Sequence, residues 1–100
     1  MLPKERHSYV NDTICQRAPQ RAGLLYLFAL DRLLWVQYDP NVQVRLLTLQ
    51  ALYSDATHFA TVTDPAITVR DGEAFAKKMR DTDRLVDRSA PREPMGFSAG

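Results

Sequence analysis

The side chains able to act as nucleophile, base or metal ligand are few and scattered. His7 and His58 are the only histidines and Cys15 the only cysteine. His58 stands near Asp55 and Asp64, and an imidazole flanked by carboxylates could hold a divalent cation weakly. The simpler expectation is a histidine facing solvent or satisfied by one hydrogen bond. Cys15 beside a histidine would have the parts of a thiolate nucleophile, but no local signature surrounds it. No GxSxG, P-loop, HExxH or CxxC pattern occurs, so the known routes to a nucleophile elbow, a phosphate cradle or a zinc site are closed. A single thiol cannot form an intrachain disulfide and fits a reducing, cytoplasmic compartment. The expectation is no enzyme, no cofactor and no metal.

Basic side chains gather in the last third: Arg70, Lys77, Lys78, Arg80, Arg84, Arg88 and Arg92. Together with the abrupt corner at Asp39-Pro40, they raise the alternative of a small DNA-binding regulator of helix-turn-helix type. Asp71, Glu73, Asp81, Asp83 and Asp87 are interleaved with them. A polyanion binder normally shows a one-signed stripe, whereas mixed signs read as the solvated, salt-bridged face of a helix. Glu73–Lys77 and Lys77–Asp81 lie at i,i+4 spacing for such pairs. Net charge is +1 over the whole chain. Nucleic acid is therefore not the expected partner.

These residues must be positioned by a single domain, since the chain has 100 residues with 45% apolar side chains. Residues 1–18 show no sustained period and read as a flexible arm. Residues 89–100, rich in proline, glycine and serine, read as a disordered tail. The domain is expected over 19–88. A first helix is expected from Pro19 to Tyr38, ended by Asp39-Pro40. The same pair, with Asp39 as N-cap, opens a second helix reaching Ala56, with Val42, Leu46, Leu49, Tyr53 and Ala56 on its inner stripe. The β-branched stretches 58–63 and 67–70, separated by Asp64-Pro65, are expected to pair as a hairpin. A third helix, capped by Asp71, is expected over 72–88 with Phe75, Met79, Thr82 and Val86 inward. The expected fold class is α+β and mainly helical, three helices with a short two-stranded hairpin.

The stretch Leu24 to Tyr38 is the most apolar, broken only by Asp31, Arg32 and Gln37. Those charges fall in its middle, and a membrane span needs about 20 apolar residues, so neither a span nor a signal sequence is expected. Read as a helix, the stretch has two apolar sides. Leu24, Leu27, Phe28, Leu34, Trp35 and Tyr38 fall on one, and Leu25, Tyr26, Ala29, Leu33 and Val36 on the other. A chain this short has little material to cover both. The expectation is that Leu25, Tyr26, Ala29, Leu33, Val36, Trp35 and Leu47 form a partner-binding surface, in a homodimer or against another protein. Asp31 would sit at its rim. The function this implies is a non-enzymatic protein–protein interaction module, a small inhibitor or adaptor, with a transcription factor among possible partners.

Overall fold

A computed structural model describes residues 3–83. Seven elements follow one another: β1 (His7–Ser8), α1 (Asn11–Arg17), β2 (Gly23–Ala29), β3 (Arg32–Asp39), α2 (Val42–Leu49), β4 (His58–Val62) and α3 (Val69–Asp83). The strands form one antiparallel sheet in the order β1-β4-β2-β3. The fold is α+β with three helices and a four-stranded sheet, which corrects the expectation of a mainly helical chain with a two-stranded hairpin.

The largest correction concerns residues 19–38. They are not a helix: residues 19–22 are irregular, and the hairpin β2–β3 follows from Gly23 to Asp39. Its turn is Leu30-Asp31, between the paired residues Ala29 and Arg32. Leu30 takes φ 56°, as the first central residue of a tight hairpin requires. Thr57 holds this turn: its Oγ1 accepts the Leu30 N–H at 2.6 Å, and its own N–H donates to the Phe28 carbonyl at 2.7 Å.

The two oily sides belong to a strand. β2 is central, paired with β3 on one side and β4 on the other. Its residues alternate between sheet faces. Leu25 and Leu27 pack with Tyr9, Ile14, Ala18, Leu46, Leu49 and Phe59 beneath α1 and α2. Leu24, Tyr26 and Phe28 pack with Leu33, Val36, Ala60 and Ala76 beneath α3. A strand covered on both faces reads as a nearly continuous apolar run. On β3 a bulge moves the register, Leu27 pairing with Trp35 and Phe28 with Leu33. The extra residue lets both Leu34 and Trp35 join the α1/α2 side, while Leu33, Val36 and Tyr38 keep to the α3 side.

The remaining elements differ from expectation in detail. The segment read as a flexible arm contains β1 and α1, with Ile14 fully buried. Tyr9 anchors it, its hydroxyl donating to the Leu46 carbonyl at 2.6 Å. Asp39 is not the N-cap of α2; Asn41 is, accepting from the Val44 N–H. Asp39, largely buried, instead accepts from Asn41 N–H and Arg45 Nε. α2 ends at Leu49 rather than Ala56, yet the stripe Val42, Leu46, Leu49, Tyr53 and Ala56 does face the core. β4 falls where a strand was expected. Residues 67–70 are not its partner: after the Asp64-Pro65 turn the chain enters α3. Thr68 rather than Asp71 opens that helix, its Oγ1 accepting the Asp71 N–H at 3.1 Å. Residues 84–88, expected to continue α3, and the expected tail 89–100 lie outside the described residues. Among the described residues no helix is long and apolar enough to cross a membrane.

Candidate binding cleft

The residues expected to meet a partner do not share a surface. Leu25, Tyr26, Leu33 and Val36 are interior, and Ala29, Trp35 and Leu47 are partly covered. Leu25, Ala29, Trp35 and Leu47 belong to the α1/α2 side, and Tyr26, Leu33 and Val36 to the α3 side. The chain's own helices cover both sides of the sheet, so the shortage of covering material that called for a homodimer does not exist. The reason is geometric. A strand divides its side chains between two layers, and each layer here meets helices, α1 and α2 on one side and α3 on the other.

The feature that remains open lies where α3 starts. The chain leaves β4 at Val62, turns at Asp64-Pro65 and enters α3 at Val69. The turn is held by the Asp64 side chain, which accepts the Ala66 N–H at 2.9 Å. One turn into α3, Gly72 lies directly on the Tyr38 ring; a Cβ there would collide with ring carbons. This close contact brings α3 down onto β3, while the segment before it arches over β2 and β4. Between arch and sheet is an open cleft of about 590 Å³, lined by Pro3, Leu24, Tyr26, Val62, Ala66, Ile67, Asp71, Gly72 and Phe75.

Two polar groups stand in this otherwise apolar lining. Tyr26 is 2% exposed and stacks on Phe28, ring centroids 6.4 Å apart. Burial raises its phenol pKa above the usual value. Its hydroxyl has no hydrogen-bond partner among the described residues. Buried tyrosine hydroxyls are normally paired, as that of Tyr9 is. Asp71 is exposed, in the first turn of α3, where an acid is favoured by the helix dipole.

The chemically suggestive residues lie elsewhere. Thr57 Oγ1 is 2.8 Å from His58 Nδ1, the spacing of a hydroxyl nucleophile and its base. That oxygen, however, already accepts the Leu30 N–H and lies 3.3 Å from the Phe28 carbonyl, so it is a clamp on the hairpin turn. The β1–β4 register pairs His7 with Phe59 and Ser8 with His58, which places the two histidines on opposite sheet faces. Cys15 is exposed on α1, and no hydrogen bond joins it to either histidine among the described residues. No group of three or more His, Cys, Asp or Glu able to hold a metal ion is found among those residues. Asp31 is fully exposed in the hairpin turn, 4.0 Å from Arg6, whose guanidinium covers the Phe28 ring.

At the open edge of the sheet, Arg80 of α3 donates to the Val36 carbonyl and lies 4.6 Å from the Trp35 ring centroid. Trp35 also stacks on Tyr53 and donates through Nε1 to Gln37. An unpaired strand edge is a template for unwanted pairing, and this arrangement occupies part of it.

Sequence reasoning missed the cleft. The signals that bear on it are Thr68-Val69-Arg70-Asp71, a capping-box pattern that starts α3 earlier than Asp71, and Gly72, whose presence inside a helix marks a close approach. No known protein family, curated protein or solved structure matches this chain.

Proposed function

We propose that this chain is a non-enzymatic binding module for another protein, an inhibitor or adaptor, that receives an apolar side chain of its partner in the cleft beneath the start of α3. The observation that carries this is an open, apolar-walled cleft of about 590 Å³ between the start of α3 and the sheet, lined by Leu24, Val62, Ile67 and Phe75 among others. The volume lies within the range of pockets that enclose a small ligand or a bulky side chain. The site differs from the one expected from the sequence, which relied on an uncovered helix. Of the basic residues behind the DNA-binding alternative, Lys77 is engaged by Asp81 at 2.9 Å and Arg80 is turned inward onto Val36 and Trp35, while Arg84, Arg88 and Arg92 lie outside the described residues.

The test is selection from a random peptide library against the full chain, with Ala66→Trp as the filled-cleft control. Ala66 is exposed and contributes only its backbone N–H to the turn, so the fold survives the added ring. Selected peptides are expected to share one bulky apolar anchor and to lose at least about tenfold in affinity for Ala66→Trp, the equivalent of 1.4 kcal/mol. Selection without a common anchor, or binding indifferent to the filled cleft, overturns the proposal.

A further inference from the structure

Pro3 is part of the cleft wall, and the residue joined to it by a single peptide bond is apolar, Leu2. We propose that in the free chain Leu2 fills the cleft, so that a partner's anchor enters by displacing it; this rests on the cleft being the partner site. The attachment point is set by the residues that follow it. β1 pairs antiparallel with β4, His7 opposite Phe59 and Ser8 opposite His58. Each step back from His7 therefore carries the chain along β4 towards Val62 and the arch that follows it. The Arg6 guanidinium lies over the Phe28 ring, 3.9 Å from its centroid, and Phe28 belongs to the α3 side of the sheet. Arg6 Nε donates to the Pro3 carbonyl at 3.4 Å. These contacts hold the stretch on the face that carries the cleft. Proline restricts its predecessor to extended backbone, so Leu2 has little conformational freedom to lose on docking. A side chain tethered this closely to the wall also has a high effective concentration at the site. Leu24, Val62, Ile67 and Phe75 are there to receive it, and a leucine gains by leaving water for such surroundings. A cleft of about 590 Å³ is ample for one leucine. The apolar residues beyond α3, Met95 and Phe97, have a poorer claim. They are tethered at Asp83, the far end of a helix of 15 residues, and would have to return about 22 Å along it.

Two measurements on the full chain test this. In the first, nuclear Overhauser contacts are sought from the Leu2 methyl protons, and they are expected to the side chains of Val62, Ile67 and Phe75. In the second, indole, a bare apolar ring, is titrated into the chain and into Leu2→Ser, and followed by the backbone amides of Leu24, Ile67 and Phe75. Removing the built-in competitor is expected to tighten indole about threefold to tenfold, the factor that applies when about two-thirds to nine-tenths of the chains have their cleft filled. Absence of the Leu2 contacts, or indole affinity that is the same with and without Leu2, overturns the inference and leaves the cleft standing as an open site. Contacts to Ile67 and Phe75 from Met95 or Phe97 instead, or Leu2 contacts that arise only between molecules in a mixture of labelled and unlabelled chain, overturn it as well. If both measurements come out as expected but library-selected peptides are indifferent to Ala66→Trp, the occupancy by Leu2 is upheld and the partner reading alone falls.

Discussion

Replacing Leu30 by glycine and by alanine gives opposite answers for a hairpin and for a helix at residues 24–38. In the hairpin Leu30 sits at φ 56°, a region that costs a residue with a Cβ about 1–2 kcal/mol. Its side chain is 69% exposed, so little packing is lost on truncation, and both variants lose the same part of it. Alanine keeps the strain. Glycine relieves it but brings about 0.5–1 kcal/mol of extra chain entropy in the unfolded state. The balance leaves Leu30→Gly more stable than Leu30→Ala by roughly 0.5–1 kcal/mol. In a helix the order reverses, glycine being about 1 kcal/mol worse than alanine. Urea unfolding of the two variants measures the difference directly. A thermal melt should separate them by several degrees, since 1 kcal/mol moves the midpoint of a domain this size by about 4–8 °C. If Leu30→Ala is the more stable variant, the hairpin and everything built on its register are refuted.

Three further outcomes follow from the packing. Arg80→Met keeps the stem over Trp35 but removes the donor to the Val36 carbonyl; it should cost about 1–2 kcal/mol and raise the weight-average mass at high concentration by light scattering, as the freed β3 edge pairs between molecules. Gly72→Ala should destabilise by about 1–3 kcal/mol in urea, although alanine is the better helix former, because the new methyl lands on the Tyr38 ring. Tyr9 and Tyr26 both have phenol pKa values raised by burial. The folded state therefore holds protons that the unfolded chain releases above about pH 10. Their contribution is complete below that pH and falls as pH rises towards the folded values. Ultraviolet phenolate absorbance should show these two ionising together with the loss of circular dichroism; ionisation of both well before unfolding would contradict their burial.

The parts legible in the sequence were those whose signals are local. Asp39-Pro40 marks a real corner, HFATV a real strand, and the stripe Val42, Leu46, Leu49, Tyr53, Ala56 a real inward face. The hairpin β2–β3 was not legible, for two physical reasons. Its turn residues, Leu-Asp, carry none of the Asn-Gly or Gly chemistry that announces a tight hairpin; the conformation is imposed from a distance by Thr57, 27 residues away from Leu30. And because β2 is covered on both faces, its side chains do not alternate in polarity. An apolar run that is leucine-rich fits a helix by composition and a central strand by burial, and only the length of apolar stretch on either side of Leu30-Asp31 separates the two.

The same error moved the candidate site. A helix with two greasy sides leaves one uncovered in a small protein, and that surplus would be the binding surface. A central strand with two greasy sides leaves none, because each side meets a helical layer: Ile14 and Leu46 on one, Ala76 on the other. The cleft that remains is then set by where a covering helix fails to reach. α3 is held close to β3 by Gly72 on Tyr38 and by Arg80 on Val36, and beside its start a cleft remains whose sheet-side lining includes Leu24, Tyr26 and Val62. The cleft therefore depends on the placement of one helix, to which Gly72 and Arg80 both contribute. Closing the Gly72 contact with a side chain should alter the cleft and the stability together, whereas Ala66→Trp should close the cleft and leave the stability in place.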